Sequence, residues 1–131
     1  MSLATVDKNG PWVSDVIYVY DDKLNLYFLS EVNTRHSKAI INNPKVAVSI
    51  TVWAKQGDDN IGLQLEGRAK KINGDIFQMA IKHRLKRNKK PPKKEGEILG
   101  PNESWYCLKP TKIELIYEPL YGFNKKELKL K

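Results

Sequence analysis

The alternation of apolar and polar residues predicts a chain that begins with short antiparallel β-strands. Residues 2–6 (SLATV) and 12–21 (WVSDVIYVYD) alternate with a period of two, and the intervening Asn9-Gly10 pair is typical of a tight turn. A third run of the same kind, 24–30 (LNLYFLS), follows another short polar turn. We therefore expect an antiparallel meander over the first thirty residues.

The hydrophobic period then changes twice, and each change predicts a helix. Residues 33–43 carry an apolar side at positions 39–41 and are followed by Pro44, which disfavours a helical conformation in the residue before it. Asn33 or Thr34 can cap this helix. Residues 75–87 repeat the pattern, because their apolar side chains fall near one helical face.

The rest of the chain again has the pattern of strands. Predicted strands cover 45–53, 61–72, 104–108 and 112–117, and the tail 121–131 alternates enough to form a last one. Gly67, inside the longest run, indicates a bulge or a close backbone approach. Closely spaced antiparallel strands with two inserted helices predict a mainly β protein folded as a small closed barrel.

Length and composition narrow the class of protein. The 131 residues suit a single domain, 1–131, and the segment at about 88–102 is predicted to be a basic, mobile loop. No apolar run approaches the roughly 18 residues of a membrane span, and there is no signal-peptide pattern, so we expect a cytoplasmic protein without membrane association. The net charge of +8 favours anionic partners, and the single Cys107 excludes an internal disulfide.

The start of the first predicted helix is a candidate phosphate site. Thr34, Arg35 and Lys38 share one side of the first helical turn, where unpaired backbone N–H groups and the helix dipole attract anions. Hydroxyl, guanidinium and ammonium groups together suit a phosphate. Spacing alone supports equally well a capping Thr34 with two solvated cations.

Other chemistry has less support in the sequence. The basic tract 82–94 (KHRLKRNKKPPKK) is a possible patch for nucleic acid or an acidic partner, but it has no aromatic residue on which bases could stack, so nucleic acid is not expected. His36 and His83 do not form a metal-binding motif, and we expect no metal site. Cys107 lies in an apolar strand, where packing is the ordinary role of a thiol.

The order of these features resembles the FMN-binding split-barrel family, which includes pyridoxamine 5′-phosphate oxidase. The resemblance rests on Leu3-Ala4-Thr5, the turn Gly10-Pro11, the run 24–30, the helix start TRHSK with its Asn43-Pro44 stop, and the strand GLQLEGRA at 62–69. It covers about residues 2–72 well, and the chain is similar to a small uncharacterised bacterial branch of the family. It implies a six-stranded antiparallel split β-barrel, a homodimer and FMN as cofactor.

The resemblance also implies a set of cofactor-binding residues. Thr34 and Arg35 match the family's phosphate-binding set directly, whereas His36 stands where many members have lysine and Lys38 where many have a basic residue. The remaining positions would lie along the flavin ring, by backbone or side chain, or reach it across the dimer. They are Ser14, Val16, Ile17, Tyr18, Leu29, Ser30, Gln64 and Trp105.

The expected function is that of an FMN-dependent oxidoreductase acting on a small substrate, with a nicotinamide as a possible electron donor. Because a flavin carries its own redox chemistry, no catalytic side chain is expected. The substrate-binding residues of the oxidase have no clear match, which argues against oxidation of pyridoxamine phosphate itself. Two alternatives remain: a flavin-free binding module that uses the tract 82–94, and a heme or flavin carrier with His36 or His83 as ligand.

Overall fold

Most of the chain folds into one antiparallel sheet in the computed structural model, which describes residues 1–52 and 55–131. Its strands are β1 (Ser2–Asp7), β2 (Gly10–Asp15), β3 (Tyr18–Tyr20), β4 (Leu26–Glu31), β5 (Lys45–Val52), β6 (Ile61–Ile72), β7 (Glu103–Tyr117) and β8 (Lys126–Glu127). Its helices are α1 (Arg35–Asn42), α2 (Phe77–Lys86), α3 (Glu118–Tyr121) and a 3-10 turn at Glu95–Glu97. The strand order is β2-β1-β5-β6-β7-β4-β3, with β8 on β7.

These elements confirm the prediction of a mainly β, antiparallel fold, with eight described strands in place of six. The predicted helices 33–43 and 75–87 are present as α1 and α2, and α3 is an additional short helix after β7. None of the described helices is long and apolar enough to cross a membrane. Trp53, the last residue of a predicted strand, lies outside the described residues.

The barrel closes because one segment of the chain pairs with two different neighbours. The prediction of a single strand over 12–21 was wrong: β2 pairs with β1, whereas β3 pairs with β4 at the opposite end of the strand order. The interruption between them is Val16-Ile17. The backbone of Val16 extends the β1–β2 pairing, because its amide and carbonyl each bond to Met1 at 3.0 Å.

A bulge in β7, opposite Glu66 and Gly67 of β6, explains a second difference from the sequence-based prediction. The two strands expected at 104–108 and 112–117 are one continuous strand, β7, although Pro110 lies in its middle. Proline normally interrupts a ladder because it has no N–H group. Here Glu66 faces Lys112 and Gly67 faces Pro110, so Thr111 is the extra residue of the bulge. Of the two features predicted at Gly67, a bulge or a close backbone approach, the structure has the close approach at Gly67 itself, to the backbone of Lys109 and Pro110.

Two apolar clusters hold the fold together. Inside the barrel, Phe28 and Tyr106 stack with their ring centroids 5.2 Å apart, and Ile40 of α1 packs against the same cluster. Outside the barrel, Ile76 and Ala80 bring the α2 segment onto Trp105 of β7. The helices α1 and α2 therefore cover different parts of the sheet, and α1 packs against the barrel through its apolar side.

Two lysines of α2 donate hydrogen bonds to backbone carbonyl groups of β3, the last strand in the sheet order. The Lys86 ammonium donates to the Tyr18 carbonyl at 2.7 Å, and Lys82 donates to the Tyr20 carbonyl at 3.4 Å. Lysines at a strand edge prevent it from pairing with another chain. Part of the basic tract predicted as a solvated segment thus has a structural role.

We predict that Gly67→Ala destabilises the protein, because a methyl group there would lie 2.3 Å from the Lys109 carbonyl oxygen. Relieving the clash requires a backbone shift at the bulge, so we expect a loss of roughly 1–3 kcal/mol in the free energy of unfolding, measured by urea denaturation. Gly96→Ala is the matched control, because its added methyl group meets no atom within 4 Å. Equal stability of the two variants would contradict the role assigned to the bulge.

Candidate functional site

The candidate site lies where β4 passes into α1. Of the two residues predicted as helix caps, Asn33 and Thr34, the structure has Thr34, since its extended backbone precedes Arg35 and its hydroxyl oxygen accepts from the Ser37 amide at 3.3 Å. The same oxygen lies 3.0 Å from the Glu31 carbonyl oxygen. The first amides of the helix, those of Arg35 and His36, have no acceptor among the described residues and are the groups that an anion would meet.

Two hydroxyl groups and an imidazole meet beside this helix start. Nε2 of His36 lies 2.7 Å from the Ser30 Oγ and 3.2 Å from the Thr34 Oγ1, and the two hydroxyl oxygens are 3.4 Å apart. His36 is only 8% exposed, and burial lowers its pKa. The ring is therefore neutral at pH 7 and serves as a hydrogen-bonding partner, in contrast to the charged lysine that stands here in many members of the family it resembles.

Arg35 is held by a carboxylate that the sequence analysis did not single out. Its Nε donates to Asp7 Oδ2 at 2.8 Å and its Nη2 to Asp7 Oδ1 at 3.0 Å, while its guanidinium carbon lies 4.7 Å from the centroid of the Trp12 ring. The bond from Arg35 lowers the Asp7 pKa. The two N–H groups of Nη1 have no partner among the described residues, and they are what Arg35 can offer to a ligand.

Asp7 was not identified as a site residue from the sequence, because its position before a turn is equally that of an ordinary turn residue. It ends β1 immediately before the Asn9-Gly10 turn, and its carboxylate accepts from the Asn9 amide at 2.8 Å as an ordinary turn residue does. Its second role depends on α1 lying beside that turn. Nothing in the sequence indicates the 28-residue separation across which Asp7 contacts Arg35.

A groove of about 760 Å³ runs beside the helix start on the side of Arg35 and Lys38. It is lined by Val6, Asp7, Lys8, Asn9, Asn33, Arg35, Lys38, Ala39, Asn42 and Asn43. The Lys38 ammonium has no acceptor among the described residues. The predicted phosphate set is therefore divided: Arg35 and Lys38 face the groove, whereas Ser30 and His36 lie on the side of β4.

The residues predicted to follow the flavin ring lie around the interruption between β2 and β3. Val16 and Ile17 line a depression of about 360 Å³ together with Met1, Ser2, Asp15, Ser49 and Thr51. The backbone groups of Val16 are already bonded to Met1, so the exposed side chain of Ile17 is the apolar surface available there. Ser14 is half-buried in β2, and Tyr18 lies under the Lys86 ammonium, 3.8 Å from its ring centroid.

Three of the predicted residues lie away from the helix start or inside the protein. Gln64 is on the outer face of β6, opposite Glu114, and accepts a hydrogen bond from Lys125. Leu29 pairs with Trp105 and packs on the cluster under α2. Trp105 is 2% exposed and donates to the Ile98 carbonyl at 3.1 Å, so the expectation that its ring reaches a second subunit conflicts with its burial in its own chain.

Comparison with known proteins identifies the family. Residues 1–117 match the family model described as pyridoxamine 5′-phosphate oxidase. The chain belongs to this family. It is also 35% identical over 72 residues to an uncharacterised UPF0306 protein of Pasteurella multocida, and 29% identical over 120 residues to a UPF0306 protein of Yersinia pseudotuberculosis. These matches cover 54% and 91% of the chain, and 48% and 67% of the respective relatives; several of the relatives are matched over only about half their length.

Solved structures confirm the split-barrel fold of the pyridoxamine 5′-phosphate oxidase family. The heme storage protein HutZ of Vibrio cholerae superposes with a TM-score of 0.70 at 21% identity, covering 87% of this chain and 83% of HutZ. General Stress Protein 26 of Bacillus anthracis superposes with a TM-score of 0.65 at 22% identity, covering 97% and 87% of the two chains. Identities this low show the shared fold, and the chemistry at the helix start has to be argued from this chain's own residues.

We predict that acidification destabilises the folded protein through its two histidines. Burial lowers the pKa of both His36 and His83 below the ordinary value of 6.5. The unfolded chain then binds more protons than the folded one as the pH falls through that value, so stability is present above it and is lost below it. Urea denaturation at about pH 7 and about pH 5 should show a decrease in the free energy of unfolding.

The variant His36→Gln/His83→Gln separates this effect from the titration of carboxylates. It should lose less stability than the wild type over the same pH interval, because it lacks both imidazoles. An equal loss in the two proteins would assign the acid sensitivity to other groups.

Proposed function

We propose that this member of the pyridoxamine 5′-phosphate oxidase family binds FMN, with the phosphate at the amino end of α1, and acts as a flavin-dependent oxidoreductase on a small substrate. The observation that carries the proposal is the donor set there. The Nη1 group of Arg35 and the amides of Arg35 and His36 have no partner among the described residues and lie at one helix start, beside the hydroxyls of Ser30 and Thr34, which already bond within the protein. Phosphate oxygens accept hydrogen bonds from several directions, and this set offers them.

The charge at the site also fits a phosphate, although with less excess than the sequence indicated. His36 is neutral and Asp7 offsets part of the Arg35 charge, which leaves Lys38 and the helix dipole as further attraction. We therefore expect recognition of the phosphate mainly through oriented hydrogen bonds. When bound, a flavin supplies the redox chemistry by its ring, and the protein has to hold and orient it.

The exposed apolar residues of the first two strands support a homodimer as part of this proposal. Val6 and Val13 are 46% and 60% exposed and share one face of the β1–β2 ribbon, since Val6 stands opposite Pro11 and Val13 follows Pro11 by two residues. Ile17, 44% exposed, follows just beyond the ribbon. A concentration of apolar side chains at the surface is typical of a subunit interface. A second copy packed there would cover this surface beside the depression at Val16 and Ile17 and complete an enclosure for a flavin ring and its substrate or nicotinamide donor.

We predict that Arg35→Ala weakens FMN binding by about 1–3 kcal/mol, the contribution of a charge-assisted hydrogen bond. Quenching of flavin fluorescence during titration of the purified, flavin-depleted protein measures the affinity. Riboflavin, which has no phosphate, should bind more weakly than FMN to the wild type and equally to both proteins.

The matched control for Arg35→Ala is Arg87→Ala, which removes an equally charged, exposed side chain at the end of α2. Its FMN affinity should equal that of the wild type. If Arg35→Ala left the FMN affinity unchanged, the assignment of the phosphate site to this helix start would be wrong.

Asp7 is expected to act as a positioning residue in the same site. Asp7→Asn keeps the size of the side chain but loses the paired carboxylate oxygens that orient the Arg35 guanidinium. We predict FMN binding weaker by about 1 kcal/mol with unchanged riboflavin binding. Tighter FMN binding would instead show that Asp7 competes with the phosphate for Arg35, and would contradict the positioning role.

The alternatives have weaker support in this geometry. HutZ is a heme storage protein, but here His36 Nε2 is engaged by two hydroxyls, and His83 is 3% exposed with its ring 5.2 Å from that of Trp105, so neither offers an open nitrogen to a heme iron. A binding module that uses the tract 82–94 is weakened because Lys82 and Lys86 are occupied at β3. Hemin added in place of FMN in the same titration distinguishes the first alternative.

A further inference from the structure

A row of three cations crosses the outer face of the barrel, away from the site described above. Lys45 of β5 stands directly opposite Arg68 of β6, and Arg68 stands directly opposite Lys109 of β7. All three are exposed, and directly opposed residues of antiparallel strands present their side chains on the same face. Lys70 follows Arg68 by two residues and so extends the row along β6 on that face.

The arrangement is unfavourable for the protein alone. Like charges directly opposite each other in a sheet are destabilising, and alternating signs would avoid the cost. Among the described residues, none of Lys45, Arg68, Lys70 and Lys109 has a carboxylate oxygen within 4.0 Å of its charged nitrogen atoms. Such an uncompensated row indicates that an anion supplies the missing negative charge.

The neighbouring rows of the same face show the contrast. Glu66 stands opposite Lys112, and the Lys112 ammonium lies 3.2 Å from a Glu114 carboxylate oxygen and 4.0 Å from one of Glu127. These carboxylates raise the pKa of Lys112, with the Glu114 bond as the largest cause and Glu66 as a smaller one. The described carboxylates that form ion pairs on this face do so with Lys112 and Lys125, whereas Glu66, two residues before Arg68 on the same face, has no described cation within 4.0 Å.

One more carboxylate, Asp21, lies within electrostatic reach of Cys107, as do Lys70 and Lys109 of the row. Asp21 accepts hydrogen bonds from the side chain of Asn25 at 2.8 Å and from the Tyr27 hydroxyl at 2.9 Å. It also accepts from the amides of Lys23 and Asn25, both at 2.9 Å. These four donors hold the carboxylate in place, and among the described residues it has no cation of the row within 4.0 Å.

The surface at the row is concave. A groove of about 360 Å³ is lined by Pro44, Arg68, Ala69, Lys70, Lys109, Pro110 and Thr111, and it shares no residue with the groove beside α1. Neighbouring strands are about 4.8 Å apart, so the three cations span roughly 10 Å across the sheet, and Lys70 lies roughly 7 Å further along β6. A single phosphate is too small to meet all four side chains.

We propose that this groove binds an oligophosphate, a chain of two or more linked phosphate groups, at Arg68, Lys70 and Lys109 of its lining, with Lys45, which follows the lining residue Pro44 and stands opposite Arg68, as a fourth cation at its margin. The linear spacing matches several anionic groups in series, and Arg68 at the centre of the row can bind a phosphate through two N–H groups. The groove has no aromatic residue in its lining on which a nucleobase could stack, and its concave shape is unlike the flat surface of a lipid bilayer.

The test is a calorimetric titration of the whole protein with inorganic tripolyphosphate at moderate salt. The variant K45Q/R68Q/K109Q removes three positive charges from the row, and K89Q/K90Q/K94Q removes three from the exposed tract, so the two have the same net charge. We expect affinity at least about tenfold weaker in the first variant and within about twofold of the wild type in the second. The first variant should also remain folded and bind FMN as the wild type does, because it relieves like-charge repulsion and leaves α1 unchanged.

Each other outcome would overturn the assignment. Equal losses in the two variants would show a general attraction to a basic protein, and no binding to the wild type would remove the site. Tighter binding of a single-stranded oligonucleotide or of phosphatidylserine vesicles than of tripolyphosphate, lost in the first variant, would reassign the row to nucleic acid or membrane. Inorganic monophosphate binding as tightly as tripolyphosphate would exclude recognition of linked phosphates.

Discussion

The closure of the sheet at Val16-Ile17 is the constraint on which the rest of the structure depends. One segment pairs with β1 before this point and with β4 after it, so the two ends of the strand order are joined by the chain itself. The closure is supported from outside by α2, whose Lys86 binds the Tyr18 carbonyl, and from inside by the apolar cluster around Phe28. The same interruption exposes Ile17 at the place where the family resemblance puts the flavin ring.

The Arg35–Asp7 pair connects this barrel to the candidate site. It joins the first residue of α1 to the last residue of β1, and the Trp12 ring covers the guanidinium from β2. Side chains that are fixed in this way lose less freedom when a ligand binds, which favours affinity. The pairing with Asp7 also reduces the net positive charge at the helix start, and the neutral His36 reduces it further. The phosphate site of this family member is thus organised by hydrogen bonds more than by net charge.

The positive charge of the chain is divided among three places with different roles. Lys82 and Lys86 of α2 protect the exposed edge of β3, Lys38 faces the groove beside α1, and the row centred on Arg68 lies on the outer face of the sheet. A sequence with a net charge of +8 indicates only that anions are favoured partners. The separation of these groups by the fold is what allows distinct anions to be assigned to distinct surfaces.

The sequence by itself determined the features that depend on neighbours along the chain. The period-two runs, a helix cap at Asn33 or Thr34 and a special backbone position at Gly67 were predictable, because alternation, capping and the lack of a side chain are local properties. Tertiary structure decided which strand pairs with which, and so it decided the break at Val16-Ile17, the burial of Trp105 and the contact of Asp7 with Arg35. Those features depend on residues far apart in the chain, whose distance in space is set only when the barrel closes.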